Sequence, residues 1–402
     1  MTSSPLRRPA YRRLLAARTA IVVGNAIAPV ALAFAVLDLT GSAAALGLVV
    51  ASRSIANVAV LLVGGVIADR LPRQLVLLVA SVGATLTQTA VVAVLVSGRG
   101  SVGALAALAA LNGVAAGIAL PASSALIPTT VPSYLLRQAN AILRLAVNTG
   151  TIVGTAAGSV LIAALGPATG IAVDAATFLV GGLLFGAVHG RARSMPSKDA
   201  PAPSSVLHDI RVGWREFAGR RWVWVIVAQF GIENAAFAGA VAILGPVIAD
   251  QSFGRAAWGV ILATQTVGYL AGGALALRWR PRRALAVGVA LSATTALPVF
   301  ALAVAPVVPL LIAAFFLGGL AVEQFTVAWD QALQTHIPAD RLARVYSYDA
   351  LGSFAAMPIG EALIGPVATT VSTPIALLAC GAAIVLATAA AMTQRSIRSL
   401  AT

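Results

Sequence analysis

The chain is built of apolar runs about 20 residues long separated by short connectors, and a window of about 19 residues finds twelve of them. They lie near 14–37, 44–68, 74–97, 102–125, 139–163, 168–188, 221–248, 256–278, 282–304, 308–330, 342–366 and 371–392. A helix that crosses a bilayer consumes roughly 20 residues. In hydrocarbon it must satisfy its own backbone polar groups. The pattern therefore predicts an all-α polytopic membrane protein of twelve transmembrane helices. Pro29, Pro246 and Pro358 do not break the runs, because spanning helices tolerate proline. Of 402 residues, 59% are hydrophobic and 10% charged, which leaves no segment for a soluble catalytic domain.

A net charge of +14 in a soluble chain would suggest nucleic acid as a partner. Here the cations sit between apolar runs, as topological anchors, and nucleic acid is a poor reading. One set of alternate loops receives Arg7, Arg8, Arg12, Arg13, Arg18, Arg70, Arg73, Arg137, the 191–221 segment, Arg278 to Arg283, Arg341, Arg344, Arg395 and Arg398. The other set holds Arg99 and Arg255. By the positive-inside rule this asymmetry predicts an even number of spans with both termini cytoplasmic, in a bacterial inner membrane. Arg7-Arg8 before an apolar run resembles a secretory signal, but the run is long for one and eleven more follow it, so a retained first span is expected.

Residues 191–205 form the linker-like tract and split the spans six and six. The expected organisation is a six-helix bundle over 1–190, a cytoplasmic linker with an interfacial helix over 191–220, and a second six-helix bundle over 221–402. Leu207, Ile210, Trp214 and Phe217 recur at the spacing of that interfacial helix. An internal repeat supports the division. Gly65-Val66-Ile67-Ala68-Asp69-Arg70, closing span 2, matches Gly273-Ala274-Leu275-Ala276-Leu277-Arg278, closing span 8. Ala125 to Arg137 echoes Ala332 to Arg344 in the same way. Parallel halves of this kind place a substrate site at their interface and expose it alternately by rocking.

Across essentially its full length the chain resembles the major facilitator superfamily. Gly65-Val-Ile-Ala-Asp69-Arg70-Leu-Pro72-Arg73-Gln74 is similar to that family's loop 2–3 signature, with Pro72 where glycine is usual and Gln74 where a base is usual. Leu37-Asp38-Leu39-Thr40-Gly41-Ser42, Pro121 to Pro132, and Val345-Tyr-Ser-Tyr-Asp349-Ala-Leu-Gly352-Ser353 resemble the branch of bacterial exporters that includes siderophore and macrolide efflux proteins. Gly150-x3-Gly154-Thr155-x2-Gly158-Ser159 is similar to an antiporter motif in which proline and glycine stand at the Thr155 and Ser159 positions. Small-residue helix packing accounts for it equally well. The resemblance implies a two-bundle fold and export of a small molecule by alternating access. In these relatives the Asn25 position usually holds an aspartate.

Ionisable groups inside a bilayer cost roughly 2.5 to 3.5 kcal/mol on insertion scales and are functional candidates by default. Arg53, Glu233 and Glu323 lie farthest from the span ends. Asn25 and Arg53 flank the 38–43 turn at similar distances, which puts them at similar depth. The repeat offset carries Asn25 onto Glu233 and Asn57 onto Gln265. Glu233 is therefore the expected proton carrier, able to take a periplasmic proton and release it inside, with Arg53 as counter-charge and Glu323 as second candidate. The alternative is a static hydrogen-bonded or ammonium-binding Glu233.

A substrate pocket is expected from Asn25, Arg53, Asn57, Asn112, Asn148, Glu233, Asn234, Phe237, Gln265, Tyr269, Glu323, Gln324 and Phe325, an apolar set with a few polar groups. Asp69, Arg70 and Arg73, with Asp330, Arg341 and Arg344 in the second half, are the candidates for a cytoplasmic gate of charge pairs that break and re-form. Asp174 and Glu361, nearer the outer face, and Arg144, nearer the inner one, can snorkel or pair locally and are assigned no role.

No nucleophile–base constellation and no metal-ligand spacing emerges, since His189, His208 and His336 fall in connectors and Cys380 is alone. The expectation is a transporter and not an enzyme, monomeric, with no cofactor beyond the proton gradient. Its partners are a small-molecule substrate, protons and the lipid bilayer. Proton-coupled antiport leads; uptake by symport or facilitated diffusion, or a transport-inactive sensor, are the alternatives. The substrate's charge is open, because the acids permit a cation and Arg53 permits an anion.

Overall fold

A computed structural model describes residues 4–188, 214–215, 217–279 and 281–400. The side chains of 61–70, 120–121, 124–125, 339–340 and 343–344 lie outside the described set. So do the linker and most of the expected interfacial helix.

Twelve helices among the described residues are long and apolar enough to cross a membrane. The first six are α1 (Pro9–Thr40), α2 (Ala43–Arg70), α3 (Arg73–Val96), α4 (Val102–Thr130), α5 (Leu136–Leu165) and α6 (Pro167–Gly186). The second six are α7 (Arg221–Gln251), α8 (Arg255–Ala276), α9 (Ala284–Val304), α10 (Val308–His336), α11 (Ala339–Phe354 with Met357–Val371) and α12 (Thr373–Met392). Large apolar side chains such as Leu86, Leu183 and Leu386 face outward and exposed, which a hydrocarbon solvent explains and water does not.

The turns follow from local chemistry. Gly41, at φ 62°, ends α1 in the left-handed conformation and donates its N–H to the Leu37 carbonyl. One residue on, the Ser42 hydroxyl accepts from the Ala45 N–H at 3.2 Å and starts α2. Ser101 caps α4 through the Ala104 N–H at the same distance. Pro246 has no N–H and its ring crowds the carbonyl one turn back, and α7 answers with a wider π-helical stretch over Gly239–Leu244. α9 tightens to a 3-10 turn at Ala293–Thr295, and α11 breaks ahead of Pro358.

The chain forms two compact units, one of Met1–Ser197 with Gly254–Ala263 and one of Lys198–Phe253 with Thr264–Thr402. In the first, Tyr11, Leu14, Leu77, Leu126 and Phe185 build an apolar core. The Tyr11 hydroxyl donates to the Ala139 carbonyl at 2.6 Å. In the second, Trp222, Ile226, Phe325, Trp329 and Leu333 do the same, with Phe230 stacked on Phe325 at 4.0 Å between ring centroids.

Each unit also contains the same close helix crossing. A Cβ placed on Gly113 of α4 would lie 2.2 Å from the Arg53 carbonyl of α2, and one on Gly319 of α10 would lie 2.2 Å from the Gln265 carbonyl of α8. Backbone this close needs glycine. In this construction Gln265 takes the place of Arg53, one helical turn from Asn57, the residue with which the sequence repeat pairs it.

Candidate functional site

In the first unit the close α2–α4 crossing sets Arg53 beside Asn112. Arg53 donates from Nε to the Asn112 Oδ1 at 3.1 Å, and the Asn112 amide donates to the Thr87 hydroxyl at 3.4 Å. Asn112 is 4% exposed, so its amide orients the arginine from inside the bundle. Asn25, Arg53 and Asn57 line one cavity of about 340 Å³, together with Arg18, Ser81 and Ser123. Asn148, the remaining pocket candidate of this half, is half-buried on α5.

Of its two alternatives Asp174 takes local pairing, inside the bundle. It is 0% exposed on α6, its Oδ2 accepts from the Gln88 amide, and its Oδ1 has no hydrogen-bond partner. Its carboxylate fills the space left by Gly24, where a Cβ would stand 2.5 Å from Oδ1. The acid usual at the Asn25 position is thus absent from α1, and a carboxylate arrives one residue away from α6. A position near a span end concealed this in the sequence; the signal that could have found it was the bare Gly24 next to Asn25.

The first turns of α8 belong to this unit. The Arg255 guanidinium forks onto Asp38, with Nη1 to Oδ2 at 3.0 Å and Nη2 to Oδ1 at 2.5 Å, and lies 4.7 Å from the centre of the Phe34 ring. The Asp38 of the Leu-Asp-Leu-Thr-Gly-Ser turn therefore has a defined partner. Gly259 packs where a Cβ would meet the Ser159 hydroxyl and the Thr155 carbonyl. Those two residues, which depart from the antiporter motif, are buried at this seam.

In the second unit Glu233 is 3% exposed, turned into the bundle. The Thr295 hydroxyl donates to its Oε1 at 2.8 Å, and the Gln229 amide approaches its Oε2 at 3.5 Å. The same amide donates to Ser292 at 2.9 Å and to Thr388 at 3.2 Å. The 3-10 turn of α9 presents Thr295, while Gln229 sits four residues before Glu233 on the same face of α7. Sequence reading missed Gln229, Ser292, Thr295 and Thr388. The spacing of Gln229 from Glu233 was visible; the hydroxyls on α9 and α12 were not separable from others.

The remaining candidates take different places. Asn234 donates to the Ser353 carbonyl at 2.9 Å and ties α7 to α11, and Gln324 donates to the Gly272 carbonyl at 2.5 Å. Phe325 is packed in the apolar core between Phe230 and Trp329. Phe237 faces Phe315 at 6.5 Å, and Gln265 and Tyr269 are half-buried on α8. Glu323 is half-buried, its Cβ 2.8 Å from where a Gly272 side chain would begin. Of the gate residues, the side chains of Asp69, Arg70 and Arg344 lie outside the described residues, and those of Arg73 and Arg341 are half-buried. Asp330 accepts from the Tyr346 hydroxyl at 2.9 Å. Trp329 and Ser353 hold the Asp349 carboxylate at 2.9 and 3.2 Å.

Twelve helices among the described residues that are long and apolar enough to cross a membrane, with charged and amide groups held inside each of two compact units, define a multi-pass membrane protein with the fold of transporters. A family model described as Major Facilitator Superfamily matches residues 14–348. The chain belongs to that superfamily. The multidrug efflux pump Tap of Mycolicibacterium fortuitum is 26% identical over 376 residues, covering 90% of each chain. The crystal structure of the nucleoside transporter NupG aligns with a TM-score of 0.76 at 14% identity over 96% of this chain and 98% of that one. A bacterial homologue of the human lysosomal transporter Spinster, in an inward-facing and unoccupied conformation, aligns at 0.69 and 15% identity over 96% and 94%. At such identities these structures speak to the fold alone.

Proposed function

We propose that the protein is a proton-coupled antiporter of a bacterial inner membrane, with both termini in the cytoplasm, that exports small amphipathic molecules. The observation that carries the coupling is the setting of Glu233. Its hydrogen-bond partners among the described residues are the neutral side chains of Thr295, Ser292 and Gln229. A buried carboxyl with neutral partners changes its charge only by gaining or losing a proton, and such a change alters what the surrounding helices must accommodate. The likeness to a multidrug efflux pump along nine-tenths of both chains supports export.

The test is transport in everted membrane vesicles energised by a proton gradient, with a panel of antibiotics and dyes. Accumulation collapsed by an uncoupler is expected for the unaltered chain. Glu233→Gln should lose proton-driven accumulation and keep substrate counterflow, which needs no net proton movement. Unchanged proton coupling in that variant refutes the assignment of Glu233, and Glu323→Gln then tests the second acid. Accumulation in right-side-out vesicles instead would mean uptake.

A further inference from the structure

We propose that the cavity inside the first unit is an anion site, with Arg18 and Arg53 holding the carboxylate or phosphate group of a small amphipathic anion. Both arginines line it, together with the neutral polar residues Asn25, Asn57, Ser81 and Ser123. No carboxylate is among its described lining residues. Asp174, the nearby acid, accepts from Gln88 and is not part of the wall. Arg53 already has Asn112.

Arg18 is the residue without a sufficient structural role. A guanidinium carries five N–H donors. Among the described residues Arg18 has one polar partner, the Ser123 hydroxyl at 3.0 Å, a neutral acceptor. It stands nine residues into α1, beyond Arg13, whose guanidinium reaches the Ala187 carbonyl at the helix end at 2.7 Å. Arg18 lies five residues, about 7.5 Å, further along the helix than Arg13 and lines the cavity. Both arginines are half-buried, and the Asp174 carboxylate offsets the charge of Arg53, whereas the partner of Arg18 among the described residues is a neutral hydroxyl. A bound anion supplies the counter-charge at Arg18 and accepts from the donors that Ser123 leaves over. Arg18 and Asn25 are seven residues apart on α1, so the polar groups extend over roughly 10 Å, room for an anionic head with an apolar body against Phe178 and Phe185.

This resolves the substrate charge that the sequence left open, and it rests on the export reading only in taking the cavity to hold cargo. The experiment uses the purified full-length chain in detergent, with 1-naphthoate, inorganic phosphate, 1-naphthamide and 1-naphthylmethylammonium as probes. 1-Naphthoate is expected to raise the thermal midpoint by a few degrees and to protect Arg18 from phenylglyoxal, read by peptide mass on the unaltered chain. The amide and the ammonium should do neither. Arg18→Gln and Arg53→Gln should lose the stabilisation, and Arg18→Lys should keep part of it. A response to phosphate alone identifies a bare phosphate group, inorganic or lipid, as the anion held. Equal responses to 1-naphthoate and 1-naphthamide, no response to either anion, or stabilisation that persists in both glutamine variants overturns the proposal. If the anions fail while everted vesicles still export a cationic dye, the anion site falls and export stands. If they bind and no compound is exported, the reverse holds.

Discussion

Gly113→Ala should destabilise the first unit and disable its arginine. The added Cβ would lie 2.2 Å from the Arg53 carbonyl oxygen, a backbone atom that cannot rotate away. Carbon–oxygen contacts between helices settle at roughly 3.3 Å or more. The α2–α4 crossing must therefore open by about 1 Å. Overpacking of this kind costs about 1–3 kcal/mol, and at roughly 2–4 °C per kcal/mol for a unit of this size the midpoint should fall by several degrees. The displacement falls on the residue whose Nε lies 3.1 Å from Asn112. Stretching that bond by even half as much takes it outside hydrogen-bonding range, so transport should fall beyond what the lost stability explains. The control is Gly83→Ala on α3, where nothing lies within 4 Å of the new methyl and alanine should gain about 0.5–1 kcal/mol. Thermal unfolding of detergent-purified protein, followed by tryptophan fluorescence, reads both. Shifts of the same sign and size in the two variants would show that the crossing is not tight.

Asn112→Ala removes the acceptor from Arg53 Nε and leaves Thr87 without its donor, which should cost about 1–3 kcal/mol and show as a lower midpoint with a larger loss of transport. Asp174→Asn keeps an acceptor for the Gln88 amide, whereas Asp174→Leu strands it, so the leucine variant should unfold earlier than the asparagine variant by about 1–3 kcal/mol; equal midpoints would remove Gln88 from the argument. Asp38→Asn breaks a partly exposed pair with Arg255 and should cost only about 0–1 kcal/mol, a loss that shrinks as salt is added.

The twelve spans were legible because the bilayer imposes one requirement on every segment, enough consecutive apolar residues to close its own hydrogen bonds. Side-chain depth and facing were less legible. Arg53 and Asn112 both stood out as polar groups inside apolar runs, yet their hydrogen bond depends on Gly113, which in sequence is one small residue among many. The role of Asp174 was not legible because distance from a span end says nothing of which face it occupies, and its face meets Gly24. Phe325 stood in the expected pocket set, and which face of its helix it occupies was not legible; it joins the apolar core. Arg18 was counted with the cytoplasmic cations, since charge alone does not distinguish an arginine at the helix end from one that lines a cavity about 7.5 Å further in.

The charge of the cargo fixes how the proposed exchange responds to membrane voltage, which gives the anion site a test independent of binding. One elementary charge crossing 100 mV is worth about 2.3 kcal/mol. With the interior negative, an anion leaving and a proton entering both move charge in the favourable direction, so a one-for-one exchange gains about 4.6 kcal/mol per 100 mV. That sustains a concentration ratio on the order of 10³ from voltage alone, at 1.4 kcal/mol per tenfold. A neutral cargo would gain half of that energy, and a monocation exchanged for one proton would gain nothing. Proteoliposomes clamped with potassium and valinomycin, without a pH gradient, separate the three cases for any compound the vesicle assay finds. Exchange that is indifferent to the clamped voltage would exclude an anionic cargo with one-for-one coupling, and with it the role proposed for Arg18.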